Sequence, residues 1–166
     1  NGAHILNASF QFTEYIEAID NAFKSLSDAG ILVTIASGNQ GVSVDTQTTY
    51  PIDFKHTETL VVAASDNKDT AASFTNYGPD VDVFAPGKNL RSTGIDNPDE
   101  YLWASGTSYA SPLVAGTAAL LLAEYPSLSA LQIRKAIQLG IDPVEAFDCM
   151  KETICVGSGG RLNAEQ

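Results

Sequence analysis

The chain has 166 residues, nine of them Lys or Arg and twenty Asp or Glu, which leaves a net charge of −11 and a pI near 4.3. Nucleic acid binding needs basic stripes, so this balance excludes it, and it disfavours anionic membrane surfaces for the same reason. With 44% hydrophobic and 17% charged residues, the composition is that of one globular domain with a sizeable core, neither disordered nor coiled-coil.

Ile5 to Phe10 is short and largely apolar and reads as a first strand. No basic n-region with an apolar core opens the chain, so no signal peptide is expected in it. Ile16, Ile19, Phe23 and Leu26 then recur at spacings of three and four, one face of a helix. Thr13 is placed to cap that helix, Glu14 and Glu17 suit its positive end, and Gly30 can stop it. Ile31 to Ala36 and Leu60 to Ala64 are unbroken aliphatic runs, as in strands buried on both faces. Val81 to Phe84 reads as a shorter fourth strand ending at Pro86-Gly87.

The longest apolar stretch, Tyr109 to Ala123, has 15 residues and contains Ser111, Pro112, Gly116 and Thr117. It falls short of the ~20 residues that a membrane span needs, so it predicts a central helix and no membrane span. Ser129 and Gln132 form a capping-box pattern, with Leu128 and Ile133 as a hydrophobic staple. The helix they start runs to Leu139 and stops at Gly140. This alternation predicts an α/β fold, a parallel sheet with helices against its faces, and chemistry at the carboxyl ends of the strands.

Cys149 and Cys155 are the only cysteines. Their spacing is not C-x-x-C, and no second pair completes a zinc site. In an exported protein they would form a local disulfide, and in a reducing compartment they would stay unlinked thiols. A secreted or extracytoplasmic location is the expectation.

Two segments carry candidate chemistry. Gly106-Thr107-Ser108-Tyr109-Ala110-Ser111-Pro112 delivers a serine to the start of the apolar helix. Proline is tolerated there because the first helical N–H groups have no intrahelical partner, and those free groups favour negative charge beside Ser108. The plainer alternative makes Thr107 or Ser108 a helix cap. Ser37-Gly38-Asn39-Gln40-Gly41 follows a strand directly, so the Asn39 amide can donate to a developing oxyanion. Its plainer alternative is a turn rich in Gly and Asn.

Gly106 to Pro112, with Val114-Ala115-Gly116, resembles the nucleophile signature of the subtilisin-like serine proteases (subtilases). Ala36-Ser37-Gly38-Asn39-Gln40-Gly41 resembles their oxyanion-asparagine segment, and Asn7-Ala8-Ser9-Phe10 resembles the strand that flanks the substrate. Phe74-Thr75-Asn76-Tyr77-Gly78-Pro79 followed by Val83-Phe84-Ala85-Pro86-Gly87, and Gly159-Gly160-Arg161-Leu162-Asn163-Ala164, resemble other recurrent stretches in the same order. The resemblance covers essentially the whole chain. It implies a subtilisin-like parallel sheet with helices on both faces, incomplete, with residues 1–166 as the C-terminal portion of one catalytic domain.

By that resemblance the chain belongs to a serine endopeptidase acting on polypeptide substrates. Ser108 is the nucleophile, Asn39 the side-chain oxyanion donor and the Ser108 N–H the second donor. Ser9, Phe10 and Gln11 form one wall of the substrate pocket, and Ala36, Ser37 and Gly38 the other. The family's triad runs Asp, His, Ser along the chain, yet no aspartate precedes His4 and no His-Gly-Thr segment occurs. The only ordered set is one of Asp20, Asp28, Asp45 or Asp53, then His56, then Ser108. His56 sits among polar residues and reads as a surface histidine. The Asp and His are therefore expected in an N-terminal part outside this chain, which becomes its partner.

Members of the family usually place a glycine soon after the serine of the flanking strand. Here Phe10, Gln11 and Phe12 follow Ser9 instead, and these bulkier residues are expected to narrow the pocket. Tyr109 stands where the best-known members carry methionine, and Tyr50-Pro51 resembles a segment whose peptide bond is cis. No cofactor is expected. Calcium is common in the family, but Asp66 with Asp69, and Asp96 with Asp99 and Glu100, lack EF-hand spacing and read as solvated loops.

The rival reading is a non-catalytic subtilase-like binding module. An α/β-hydrolase elbow would need a histidine after the serine, and none follows Ser108. The central helix is apolar nearly all round, so the chain alone is expected to self-associate or to be only marginally folded.

Overall fold

The unbroken aliphatic runs become the middle of a parallel sheet. The computed structural model describes residues 2–95, 97, 99–149 and 154–164. Strands β1 (Ile5–Ala8), β2 (Leu32–Ala36), β3 (Thr59–Ser65) and β4 (Val83–Pro86) pair in parallel in that order. A separate antiparallel hairpin joins β5 (Leu90–Thr93) to β6 (Tyr101–Ala104). Two short strands, β7 (Asp142–Pro143) and β8 (Gly160–Arg161), extend the sheet to the order β1-β2-β3-β4-β8-β7, with β7 antiparallel.

Every residue of β2 and β3 is buried, because helices cover both faces. Leu32, Leu60, Val62, Ala64, Val83 and Ala85 share one core with α2 (Thr107–Glu124) and α3 (Ala130–Leu139). Val33, Ile35, Val61, Ala63 and Phe84 face the other way, into a core with Phe23 of α1 (Glu17–Asp28), Ile52, Phe147 and Val156. The period-2 alternation of the strands thus separates two cores.

Several boundaries differ from the sequence expectation. The first strand stops at Ala8, because Phe12 leaves the sheet and exchanges backbone hydrogen bonds with Tyr50 at 2.9 and 2.8 Å. The fourth begins at Val83, because Val81 N–H closes a turn onto the Gly78 carbonyl. Thr13 does not cap α1. That helix starts after Ile16 without a side-chain cap, and Tyr15 instead donates to Asp20 at 2.7 Å. At the other end, Gly30 N–H bonds Ser27 and Ile31 N–H bonds Leu26, which closes the helix where expected. The α3 capping box is present in both directions. The β5–β6 hairpin had no expectation. Its four-residue strands bury little, with Trp103 74% exposed, so they leave no alternation to read.

Tyr50-Pro51 is cis and Cys149 is bonded to Cys155. Helix α2 lies against the sheet through Ala110, Val114 and Ala118, while Leu113 and Leu120 on its outer side are 42% and 66% exposed. The expected cover on every side is therefore present on one side only. Beyond α2, β1 forms an open edge of the sheet. No helix among the described residues is long and apolar enough to cross a membrane.

Between β4 and α3, the buried Asp82 carboxylate accepts from Arg134 (2.9 Å), Gln138 (2.7 Å) and the Val61 N–H (2.7 Å). Burial pushes its pKa above the ordinary carboxylate value, with Arg134 opposing. The folded chain therefore keeps this proton longer than the unfolded chain, and the group's contribution to stability falls as pH rises through that window. Arg134→Leu leaves the charge unpaired and is expected to cost about 3 kcal/mol near neutral pH, roughly 10 °C in the unfolding midpoint. The deficit should shrink on acidification, as Asp82 takes up its proton. Thermal unfolding across pH checks this, and a deficit that grew in acid would contradict it.

Candidate active site

Parallel strands place their following loops along one edge, and here three segments meet there. Ser9 to Gln11 leave β1, Ser37 to Gly41 leave β2, and Gly106 to Ser108 open α2. Together they enclose a cleft of about 180 Å³ lined by Ser9, Phe10, Gln11, Ala36, Gly38, Asn39, Gln40, Thr107 and Ser108. Larger hollows of about 450 and 510 Å³ flank α2 away from Ser108. Of the expected pocket residues only Ser37 does not line the cleft. It is fully buried and its hydroxyl donates inward to the Asn76 carbonyl at 3.0 Å.

The start of α2 explains the Asn39 geometry. Thr107 donates its backbone N–H to Asn39 Oδ1 at 2.9 Å and its hydroxyl to the same oxygen at 3.0 Å. An N–H can only donate, so the Asn39 oxygen must face Thr107 and its NH₂ must face away. No protein acceptor among the described residues takes that NH₂ or the Ser108 N–H, whereas the Tyr109 N–H bonds the Gly106 carbonyl at 3.0 Å. Two donors are thus left unengaged beside the Ser108 hydroxyl, at the positive end of an 18-residue helix. Such an arrangement can stabilise negative charge on an oxygen placed there.

The Ser108 carbonyl is held in turn by β1. Its normal helical partner would be the N–H of residue 112, which is proline and has none. Ser9 Oγ donates to that carbonyl instead, at 3.1 Å, and itself accepts from Asn7 Nδ2 at 2.9 Å. Asn7 Oδ1 accepts from the Ser111 hydroxyl at 2.7 Å and from Thr34 at 3.1 Å. Ser9, expected as a substrate-side residue, lines the cleft and clamps the first turn of α2.

Asn76, which sequence reasoning did not single out, shapes the loop that carries Asn39. Its Oδ1 accepts from the Gln40 and Val42 N–H groups, and its Nδ2 donates to the Ser37 carbonyl and Gln40 Oε1, at 2.9–3.3 Å. Its own N–H reaches the Gly38 carbonyl at 2.9 Å. Gly38 has φ +104°, and a Cβ there would lie 2.5 Å from Asn76 Nδ2, so this position demands glycine. The segment around Asn76 stood out only as a recurrent stretch. A buried asparagine folding another loop leaves no local spacing to detect.

His56 is not at this edge. It precedes β3, and the seven residues of that strand put about 20 Å between its two ends. Its Nε2 pairs with Asp20 Oδ1 at 2.9 Å, with the imidazole 18% exposed. It is thus a partly exposed loop histidine away from the cleft, as expected, and it is paired with a carboxylate. Asp66 accepts the Lys68 and Thr70 N–H groups, and Asp69 pairs with Arg161 at 2.6 Å. Asp96 lies outside the described residues, and no group of three or more His, Cys, Asp or Glu converges among those described.

Comparison with known proteins agrees with this geometry. The chain is 40% identical over 140 residues to a thermostable alkaline protease of Halalkalibacterium halodurans, covering 82% of this chain and 36% of that protein. It is 37% identical over 138 residues to subtilisin BL of Lederbergia lenta, covering 83% and 49%. The crystal structure of a cold adapted subtilisin-like serine proteinase superposes with a TM-score of 0.78 at 29% identity, covering 92% of this chain and 54% of that one. The chain thus spans half or less of the length of the curated relatives it matches. The family model of the subtilases matches residues 1–145, and the chain belongs to the subtilase family.

Proposed function

We propose that this chain supplies the nucleophile and the oxyanion-binding groups of a serine endopeptidase that cuts peptide bonds through an acyl-enzyme. The observation that carries the reading is the pair of unengaged donors, the Asn39 NH₂ and the Ser108 N–H, beside the Ser108 hydroxyl. Ser108 Oγ bonds to the scissile carbonyl carbon as its proton passes to a histidine held by an aspartate, both outside this chain. The carbonyl oxygen becomes an oxyanion between the two donors. The C–N bond then breaks, the histidine returns the proton to the leaving amine, and water releases the acyl group by the same steps. Asn39 needs no reorganisation during this, because Thr107 already fixes its amide.

Residues 1–166 are the C-terminal portion of one catalytic domain in this reading. The exposed outer side of α2 and the open edge of β1 are the surfaces that the remainder of the domain covers. The Cys149–Cys155 bond suits an oxidising, extracytoplasmic compartment.

Three outcomes follow. The isolated chain should hydrolyse no peptide and resist serine-directed phosphonates, since a serine without a base is a weak nucleophile. The full-length protein should be labelled, and Ser108→Ala should abolish the label. Labelling of the isolated chain would contradict a base held outside it, and no labelling of the full-length protein would favour a non-catalytic binding module. In the full-length protein, Asn39→Ala should lower kcat by roughly 10²–10³, the loss measured in subtilisins for one such donor, with KM little changed. An unchanged kcat with a raised KM would make Asn39 a ground-state binding group. Finally, the isolated chain should sediment as oligomers at moderate salt, where its charge of −11 is screened within about 10 Å. A compact monomer at low and moderate salt would show a self-sufficient domain.

A further inference from the structure

One wall of the cleft carries a polar side chain in the space its neighbours leave open. The Gln11 carboxamide lies against Gly38, with Oε1 and Nε2 at 2.6 and 2.7 Å from where a Cβ on that glycine would stand. Gln11 and Ser108 line the same cleft of about 180 Å³. The amide is loosely held. Its Nε2 reaches the Ser37 carbonyl only at 3.5 Å, the outer limit of a hydrogen bond, and no described donor meets Oε1. The preceding Phe10 ring is engaged elsewhere, stacked on Phe12 with centroids 6.3 Å apart and edge-on to Phe23 at 6.4 Å.

We propose that Gln11 determines which substrate side chain the cleft accepts beside the scissile bond, admitting small and carboxamide-bearing residues and turning away aromatic ones. An aromatic ring has to lift the amide off Gly38 and takes nothing polar from it in return. A small side chain leaves the amide where it is. A glutamine or asparagine side chain meets both its free acceptor and its weakly engaged donor. The discrimination against aromatic side chains is steric and rests on one movable group, so it is of the order of tenfold to a hundredfold and not absolute.

This assignment rests on the endopeptidase reading, and two measurements on the full-length protein separate them. The first compares kcat/KM for peptide p-nitroanilides that share one acyl sequence and end in Ala, Gln, Phe or Lys. The second titrates the corresponding free peptide acids into the Ser108→Ala variant by calorimetry, which needs no turnover. Gln11→Gly should raise the Phe-to-Ala ratio at least tenfold in both measurements. Gln11→Glu, nearly isosteric, should instead favour the Lys peptide by a similar factor. Hydrolysis with preferences unchanged by both substitutions overturns the Gln11 assignment and leaves the endopeptidase reading standing. No hydrolysis, but binding preferences that follow residue 11, does the reverse. Neither hydrolysis nor peptide binding overturns both.

Discussion

Asn39 Oδ1 accepts two hydrogen bonds from Thr107, and the rest of the site is arranged around that contact. It joins the loop after β2 to the first turn of α2, and it decides which end of the asparagine amide faces the cleft. Were the amide turned round, its NH₂ would meet another donor and the oxygen would confront any developing negative charge. The orientation follows from the Thr107 N–H, one of the N–H groups at the helix start that have no helical partner. Thr107 also accepts the Gly38 N–H on its hydroxyl at 3.2 Å, so the same side chain ties down the glycine beside Asn39.

Two further side chains carry this constraint outward. Asn76 closes the loop from Ser37 to Val42 from below, and Asn7 reaches under the first turn of α2 to Ser111. Each is an asparagine whose amide uses both its donor and its acceptor ends. The proline at 112 is part of the same design. By removing one N–H it leaves the Ser108 carbonyl open to Ser9, which brings the exit of β1 against the serine that opens the cleft.

The parts legible in the sequence are those where a local pattern is itself the physical cause. β2 and β3 are buried on both faces and read as unbroken aliphatic runs, and α3 begins at a capping box whose two bonds are both made. The placement of Asn39 and Ser108 in one cleft was legible because each sits at a junction, strand to loop or loop to helix, marked by adjacent glycines. The rest depended on distance in the chain. Nothing near Asn76 reveals that it folds a loop some 36 residues earlier. Thr13 looked like a cap because the helix period extends back to Ile16, but the chain turns helical only after that residue. Ser37 looked like a pocket residue by position, and it is turned inward by the carbonyl of Asn76.

The sequence separations inside the site have a consequence for how it comes into being. The bonds Ser9 to Ser108, Ser111 to Asn7 and Thr107 to Asn39 span 99, 104 and 68 residues. Contacts of that range each carry the entropy of closing a long loop, so they are not available to a locally folded segment. No local segment can assemble a fraction of the cleft by itself. Until β1, β2 and α2 are all docked, Asn39 is an ordinary turn residue and Ser108 an ordinary serine, so a half-folded chain presents no partial site to its neighbours.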